Sequence, residues 1–294
     1  FNKYTYGVSL MELPFFSATL IFNKIAGKAV GGHSASFGFA ILLASIIYTF
    51  LAFLLLFNYL RKFTSKVSTF ISIFVIYFGT NLFYYSAGES GMSHIYSFLL
   101  FSLFIVLTRR FYKNHTYLNS IFLWLTFSIA ILIRPVNALI ILWFLLYEVN
   151  NIKSFKTRIR LFLKIKWKIL LIIPCILLIY LPQNLYWLSL TGKYWVYSYN
   201  YSWDNESFKY ILSPKIFKVL FGLENGWILY SPIVLLPIAG FLNFKNKQFY
   251  IKLSGLLILL LVLYINSSWW KYTFGGARGQ ITAFVEIYHL SDMQ

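Results

Sequence analysis

Apolar runs of fourteen to twenty-five residues follow one another along the chain, separated by polar gaps, and Lys and Arg crowd into every second gap. At about twenty apolar residues per membrane-crossing helix, the pattern predicts spans over 36–60, 67–85, 93–108, 169–187, 228–243 and 249–266. Two shorter runs lie between 118 and 149, broken at Arg134-Pro135. The basic gaps are Arg61, Lys62 and Lys66; Arg109, Arg110 and Lys113; the stretch from Lys153 to Lys168; and Lys245, Lys247 and Lys252. By the positive-inside rule they mark the cytoplasmic side.

That assignment constrains 118–149, because both of its flanks are basic and belong on the same side. A single long helix would put them on opposite sides. Two runs of about fifteen residues rise only about 22 Å each at 1.5 Å per residue, short of the roughly 30 Å hydrocarbon core. The expectation is a hairpin of short helices whose tip, Arg134-Pro135-Val136-Asn137, lies below the outer surface. Irregular backbone at such a depth is tolerated only where protein buries it or where it lines a wet cavity.

The segments 1–35, 84–93, 188–227 and 267–294 then face outward. In the first, Leu13, Phe15, Phe16, Leu20 and Ile21 interleave with Ser17, Asn23 and Lys24, which suits a helix lying in the interface plane. The third is rich in Tyr and Trp, as expected at headgroup level. The predicted fold is all-α: a polytopic transmembrane helical bundle of about eight membrane segments, two of them short, with long outward loops carrying interfacial helices. It forms one membrane domain over 1–294. Because Phe1 is not an initiator Met and no signal peptide opens the chain, the sequence is expected to start inside a longer protein and the domain to be missing both ends.

Composition agrees: 59% of residues are hydrophobic and 12% charged, where soluble domains carry about a quarter charged residues. The net charge of +18 would suggest nucleic acid in a soluble chain. Here the basic residues cluster at the ends of apolar runs, where orientation and anionic headgroups account for them, and a nucleic-acid partner is excluded. The single Cys175 excludes a disulfide framework and a Cys-based metal site.

Four places carry chemistry. Glu89 sits in Ser86-Ala87-Gly88-Glu89-Ser90-Gly91-Met92-Ser93-His94, where it is either a general base at the membrane boundary or a solvated loop residue with Ser93 capping the next helix. Arg134 is an ionisable residue at the edge of a membrane segment. It either holds a phosphate or carboxylate in a wet cavity, with Asn137 beside it, or snorkels to the headgroups. Trp269 and Trp270 lead into Gly275-Gly276 and Arg278, a set that suits a sugar bound through its apolar face or a lipid phosphate, and equally an aromatic belt. Lys193 and Tyr199 follow a span and are substrate contacts or interface anchors. No Gly-rich phosphate loop, Ser-His-Asp order or carboxylate cluster for a divalent metal is present.

Several pieces resemble the GT-C superfamily of membrane glycosyltransferases, nearest to bacterial protein O-mannosyltransferase-like and aminoarabinose transferase-like members. They are Asn2-Lys3-Tyr4-Thr5-Tyr6-Gly7 with Leu13-Pro14-Phe15-Phe16, Gly79-Thr80-Asn81-Leu82-Phe83-Tyr84-Tyr85, Glu89 with Met92-Ser93-His94, Ile133-Arg134-Pro135-Val136-Asn137, Gly226-Trp227 with Ser231-Pro232, and Trp269 to Gly276. The resemblance implies a hexosyltransferase that moves a sugar from a polyprenyl-phosphate carrier to a lipid, glycan or protein acceptor on the outer face of a bacterial plasma membrane. It implies a carboxylate as base and cations that stabilise the departing phosphate. No cofactor is called for, and a divalent cation is compatible with the chemistry. Such proteins carry their principal acidic residue after the first spanning helix, which here would lie upstream of Phe1. Glu89 is then a second acidic residue of the site, with His94, Arg134, Asn137, Lys193, Tyr199, Trp269, Trp270 and Arg278 as substrate contacts. The alternative class is a polytopic transporter or lipid flippase, since broken helices and an intramembrane Arg also occur there.

Overall fold

The computed structural model describes residues 2–201, 206–224, 226–242 and 249–272. Among them the chain is helical, with α1 (Gly7–Ile25), α2 (Ala35–Leu60), α3 (Lys66–Gly79), α4 (Leu82–Ala87), α5 (Ser93–Lys113), α6 (Tyr117–Ile133) and α7 (Ile141–Leu146) in the first half. The second half holds α8 (Ile152–Lys164), α9 (Lys166–Leu170), α10 (Ile172–Thr191), α11 (Ile216–Phe221), α12 (Trp227–Tyr230), α13 (Leu235–Leu242) and α14 (Phe249–Ser268). Short 3-10 turns cover Pro135–Ile140, Ser198–Tyr201 and Pro232–Val234, and there is no strand among the described residues.

Among the described residues four helices are long and apolar enough to cross a membrane: α1, α2, α5 and the α9–α10 rod over Lys166–Thr191. Helix α5 is the buried centre, packed between α2 and α6, with α10 on the other flank of α6. Its Ile95, Tyr96, Phe98, Phe101, Phe104 and Phe111 are almost wholly enclosed. This explains its apolar composition on all sides, since a helix apolar all round must be covered by neighbours or lipid.

The structure departs from the expected spans in three places. The run 67–85 splits into α3 and α4 at Thr80-Asn81, where the Thr80 hydroxyl turns back to the Ile76 carbonyl. That local bond competes with the helical ladder. The run 228–243 is broken by Pro232, leaving α12 and α13 as short pieces. Helix α1 does not lie across the others but forms the antiparallel arm of a hairpin with α2. The Tyr48 hydroxyl bonds the Met11 carbonyl, and Asn23 Nδ2 bonds Ser36 Oγ at 2.8 Å.

The hairpin predicted over 118–149 is present. Thr116 caps α6, its hydroxyl accepting from the Asn119 N–H at 3.2 Å. Pro135, which has no N–H, ends the helix. The chain then returns through the 3-10 turn and α7 to its starting end. There Tyr112 stacks on Tyr147 and its hydroxyl bonds the Phe144 carbonyl. This end is the basic one: Arg109 lies over the Tyr59 and Phe63 rings, and Arg158 over Tyr112 at 3.7 Å.

Axial lengths show what happens at the opposite end. Helix α6 has 17 residues and rises about 25 Å, and from Arg109 up to His94 on α5 is about 22 Å. Helix α6 stops short of the roughly 30 Å needed to cross the hydrocarbon, whereas the full 21 residues of α5 are long enough to cross it. The neighbours continue past them. Ser45 of α2 bonds the Ser86 carbonyl beside the start of α5, yet α2 extends ten residues further, to Ala35, or about 15 Å. Gln183 of α10 meets Tyr6 at the end of α6, and α10 runs on to Thr191. The ends of α5 and α6 are thus the floor of a step, walled by α1, α2 and α10.

Candidate functional site

The floor is built by the tip of the hairpin. At the end of α6 the Ala130 carbonyl accepts from the Arg134 N–H at 3.2 Å and from Asn137 Nδ2 at 2.9 Å. The Thr5 hydroxyl takes up the Leu132 carbonyl. Asn137 gives its second amide hydrogen to Ser97 Oγ at 3.0 Å, which ties the tip to α5. Asn137 is 1% exposed, and both hydrogens of its amide are committed within the protein. It therefore positions the tip, and its amide N–H groups do not reach a ligand.

Arg134 is half-buried. Among the described residues no carboxylate pairs with it. The only ion pair there is Lys3 to Glu206, at 2.5 Å. Around Arg134 stand Tyr199, Tyr85, Tyr4 and His94, all within electrostatic reach of the guanidinium. His94 is buried and packs against Tyr85, ring centroids 4.1 Å apart and planes tilted by 31°. Tyr199 meets Trp269 edge-on at 5.3 Å, and Lys3 Nζ sits over the Tyr4 and Tyr199 rings at 5.3 Å each.

Burial pushes the Tyr199 phenol up from its ordinary range, with Arg134 pulling the other way. Tyr199 is therefore a neutral donor at physiological pH. Burial is the largest single influence and works against the Lys3 cation, but the hydrogen bond to Glu206 together with the electrostatic attraction of Tyr4, Glu206 and Tyr199 holds the amine above its ordinary value. Glu206 neutralises Lys3. Arg134 has no such partner among the described residues.

The N-terminal segment closes one wall. Tyr6 donates its hydroxyl to the Ile179 carbonyl, beside Pro182 in α10, and its N–H to Gln183 Oε1. The Asn2 N–H bonds the Tyr186 hydroxyl. Gly7 lies flat on α6: a Cβ there would stand 2.7 Å from the Ile133 nitrogen.

One turn and a half along α1 lies Glu12, part-buried. The Tyr96 hydroxyl is 2.8 Å from its Oε1 and 3.0 Å from the Ser90 carbonyl. One proton serves two acceptors, and the carboxylate is the stronger. Glu89, one residue before Ser90, accepts from the exposed Tyr84 hydroxyl at 2.9 Å. That bond raises the Tyr84 phenol above its ordinary range. Ser93 is the first residue of α5, not its cap; Met92 holds the cap position without a side-chain bond.

The structure thus gathers Arg134, His94 and Tyr199, with Trp269 behind Tyr199. Trp270 packs outside this group, its backbone N–H on the Ser207 carbonyl and Lys209 over its ring. Lys193 is exposed just beyond the left-handed Gly192 that ends α10, about 15 Å up the helix from Gln183. Arg278 lies outside the described residues. Sequence reasoning missed Lys3, Tyr4, Tyr85, Glu206 and Glu12. Glu12 alone carried a usable signal, being the one acidic residue of α1. Among the described residues no group of His, Cys, Asp and Glu could hold a metal ion. No protein-family model, curated protein or solved structure matches the chain, so function has to be argued from these side chains.

Proposed function

We propose that the chain is a membrane glycosyltransferase that moves a sugar from a polyprenyl-phosphate carrier to an acceptor hydroxyl at the end away from the basic residues, on the outer face of a bacterial plasma membrane. The observation that carries the reading is Arg134, which has no carboxylate partner among the described residues, is ringed by aromatic and hydroxyl groups, and sits on the floor of the step between α1, α2 and α10. A phosphate attached to a lipid tail would reach that depth from the bilayer, and the aromatic rings offer faces to the apolar side of a sugar.

In the proposed reaction the acceptor oxygen attacks the anomeric carbon as the bond from that carbon to the carrier phosphate breaks. The electron pair leaves with the phosphate, whose growing charge Arg134 stabilises, with Tyr199 as a hydrogen-bond donor. The acceptor proton passes to a carboxylate. Glu12 and Glu89 are the two candidates, joined through Tyr96 and Ser90.

The test is sugar transfer by the protein in nanodiscs, supplied with a panel of polyprenyl-phosphate sugars and compared among wild type, Arg134→Gln, Glu12→Gln and Glu89→Gln. Released polyprenyl phosphate should fall by about 10² or more in Arg134→Gln and in one of the two Glu variants. Movement of lipid or solute across the bilayer without any donor consumption would instead support the transporter.

A further inference from the structure

The basic end carries a surface that the proposed transfer reaction does not use. Helix α8 begins with a reciprocal cap between Asn151 and Ser154, which fixes its first turn. None of its side chains is buried. At 100° per residue its thirteen positions divide into three faces. Phe155, Arg158 and Phe162 lie on one. Phe162 stacks on Phe144 with 3° between the rings, and Arg158 lies over Tyr112 while its guanidinium holds the Tyr147 carbonyl. That face docks α8 on the hairpin.

The second face, Ile152, Ile159 and Leu163, falls within about 40° of arc and is 59%, 46% and 68% exposed. Trp167 just beyond is 66% exposed. Next to this apolar stripe, and also turned away from the body, run Lys153, Lys156, Arg160 and Lys164, all exposed. The helix contains no acidic residue.

Its neighbourhood adds charge of the same sign. Burial lowers the Lys62 amine, and Arg109, Lys113 and Arg61 lower it further. These cations crowd one end of the molecule, and a buried Nη1 of Arg109 has no hydrogen-bond partner. Pinned at the level of Tyr112 and Tyr147, α8 lies where the headgroups of the basic-side leaflet would be.

We propose that α8 is a membrane-surface helix that recognises anionic phospholipid: Ile152, Ile159, Leu163 and Trp167 enter the acyl boundary while Lys153, Lys156, Arg160 and Lys164 bind headgroup phosphates. A stripe of apolar side chains flanked by cations is the arrangement that binds an anionic leaflet. The Arg158 contacts make it a fixed part of the bundle.

The test is amide hydrogen exchange of the full chain in nanodiscs made with and without phosphatidylglycerol, followed in a peptide covering 152–164 and in a reference peptide from α5. Exchange in α8 should slow on the order of tenfold when the anionic lipid is present, and high salt should reverse this. Substituting Lys153→Gln, Lys156→Gln, Arg160→Gln and Lys164→Gln together should abolish the difference and leave α5 unchanged. All four side chains are exposed, so the fold is not at stake. The proposal fails if wild-type α8 exchanges equally in both discs, or if the fourfold variant still responds to phosphatidylglycerol. Neither outcome depends on whether the chain transfers sugar.

Discussion

Replacing Asn137 with Ala removes two hydrogen bonds, to Ser97 Oγ and to the Ala130 carbonyl, from a site that is 1% exposed. Ala130 keeps its bond from the Arg134 N–H, so it is not stranded, whereas Ser97 loses an acceptor role it played within the core. Hydrogen bonds between membrane helices average only about 0.6 kcal/mol in double-mutant cycles. A buried amide that also leaves a small void costs more, and the sum for Asn137→Ala is about 2 kcal/mol. Asn137→Asp is the sharper test, because a carboxylate has no hydrogen to give and would face the Ala130 carbonyl, which can only accept. It should cost more than the Ala variant, about 3 kcal/mol or above. Unfolding equilibria in mixed micelles, read by circular dichroism, would measure both, and a cycle with Ser97→Ala should return a coupling of about 0.6 kcal/mol. If Asp is tolerated better than Ala, or the coupling with Ser97 is zero, the hairpin tip is not held in this way.

Other outcomes follow from the same contacts. Gly7→Ala should destabilise by about 1–3 kcal/mol, because its methyl group would strike the Ile133 backbone. Gly38→Ala in α2, where nothing lies within 4 Å, should be neutral or stabilising by up to about 1 kcal/mol. His115 is held below its ordinary value of 6.5 by burial first and then by Lys168 and Arg158, so the folded protein prefers it neutral. Its contribution is present above pH 6.5 and is lost as pH falls below that value; the melting temperature of His115→Gln should fall less than wild type between pH 7.5 and pH 5, as scanning calorimetry would show. The Lys3 amine is raised above 10.5, so its pair with Glu206 stabilises below that pH and is lost as pH rises through the folded value. Lys3→Met should flatten that alkaline limb.

The hairpin over 118–149 was legible because charge on both flanks and the shortness of two apolar runs are properties of the sequence alone. Arg134 was legible for a related reason, since a cation at the edge of an apolar run is costly enough to stand out. Its surroundings were not. Tyr4, Tyr85 and Tyr199 reach it from segments far apart in the chain, and no spacing rule connects them. Asn137 looked like a ligand contact because polar residues near a break invite that reading, and only the bonds to Ser97 and Ala130 reveal its structural task. The spans 67–85 and 228–243 looked continuous because hydropathy does not register a Thr that folds back on its own helix or a Pro that removes one donor.

The central claim is that Arg134 waits for the phosphate of a lipid carrier, and equilibrium binding of polyprenyl monophosphate to the protein in nanodiscs tests it most directly. Losing charge-assisted hydrogen bonds worth about 1.5–3 kcal/mol should weaken binding about ten- to hundredfold in Arg134→Gln, with melting temperature in the absence of ligand little changed. Equal affinity in wild type and Arg134→Gln, or no binding by either, would contradict the account.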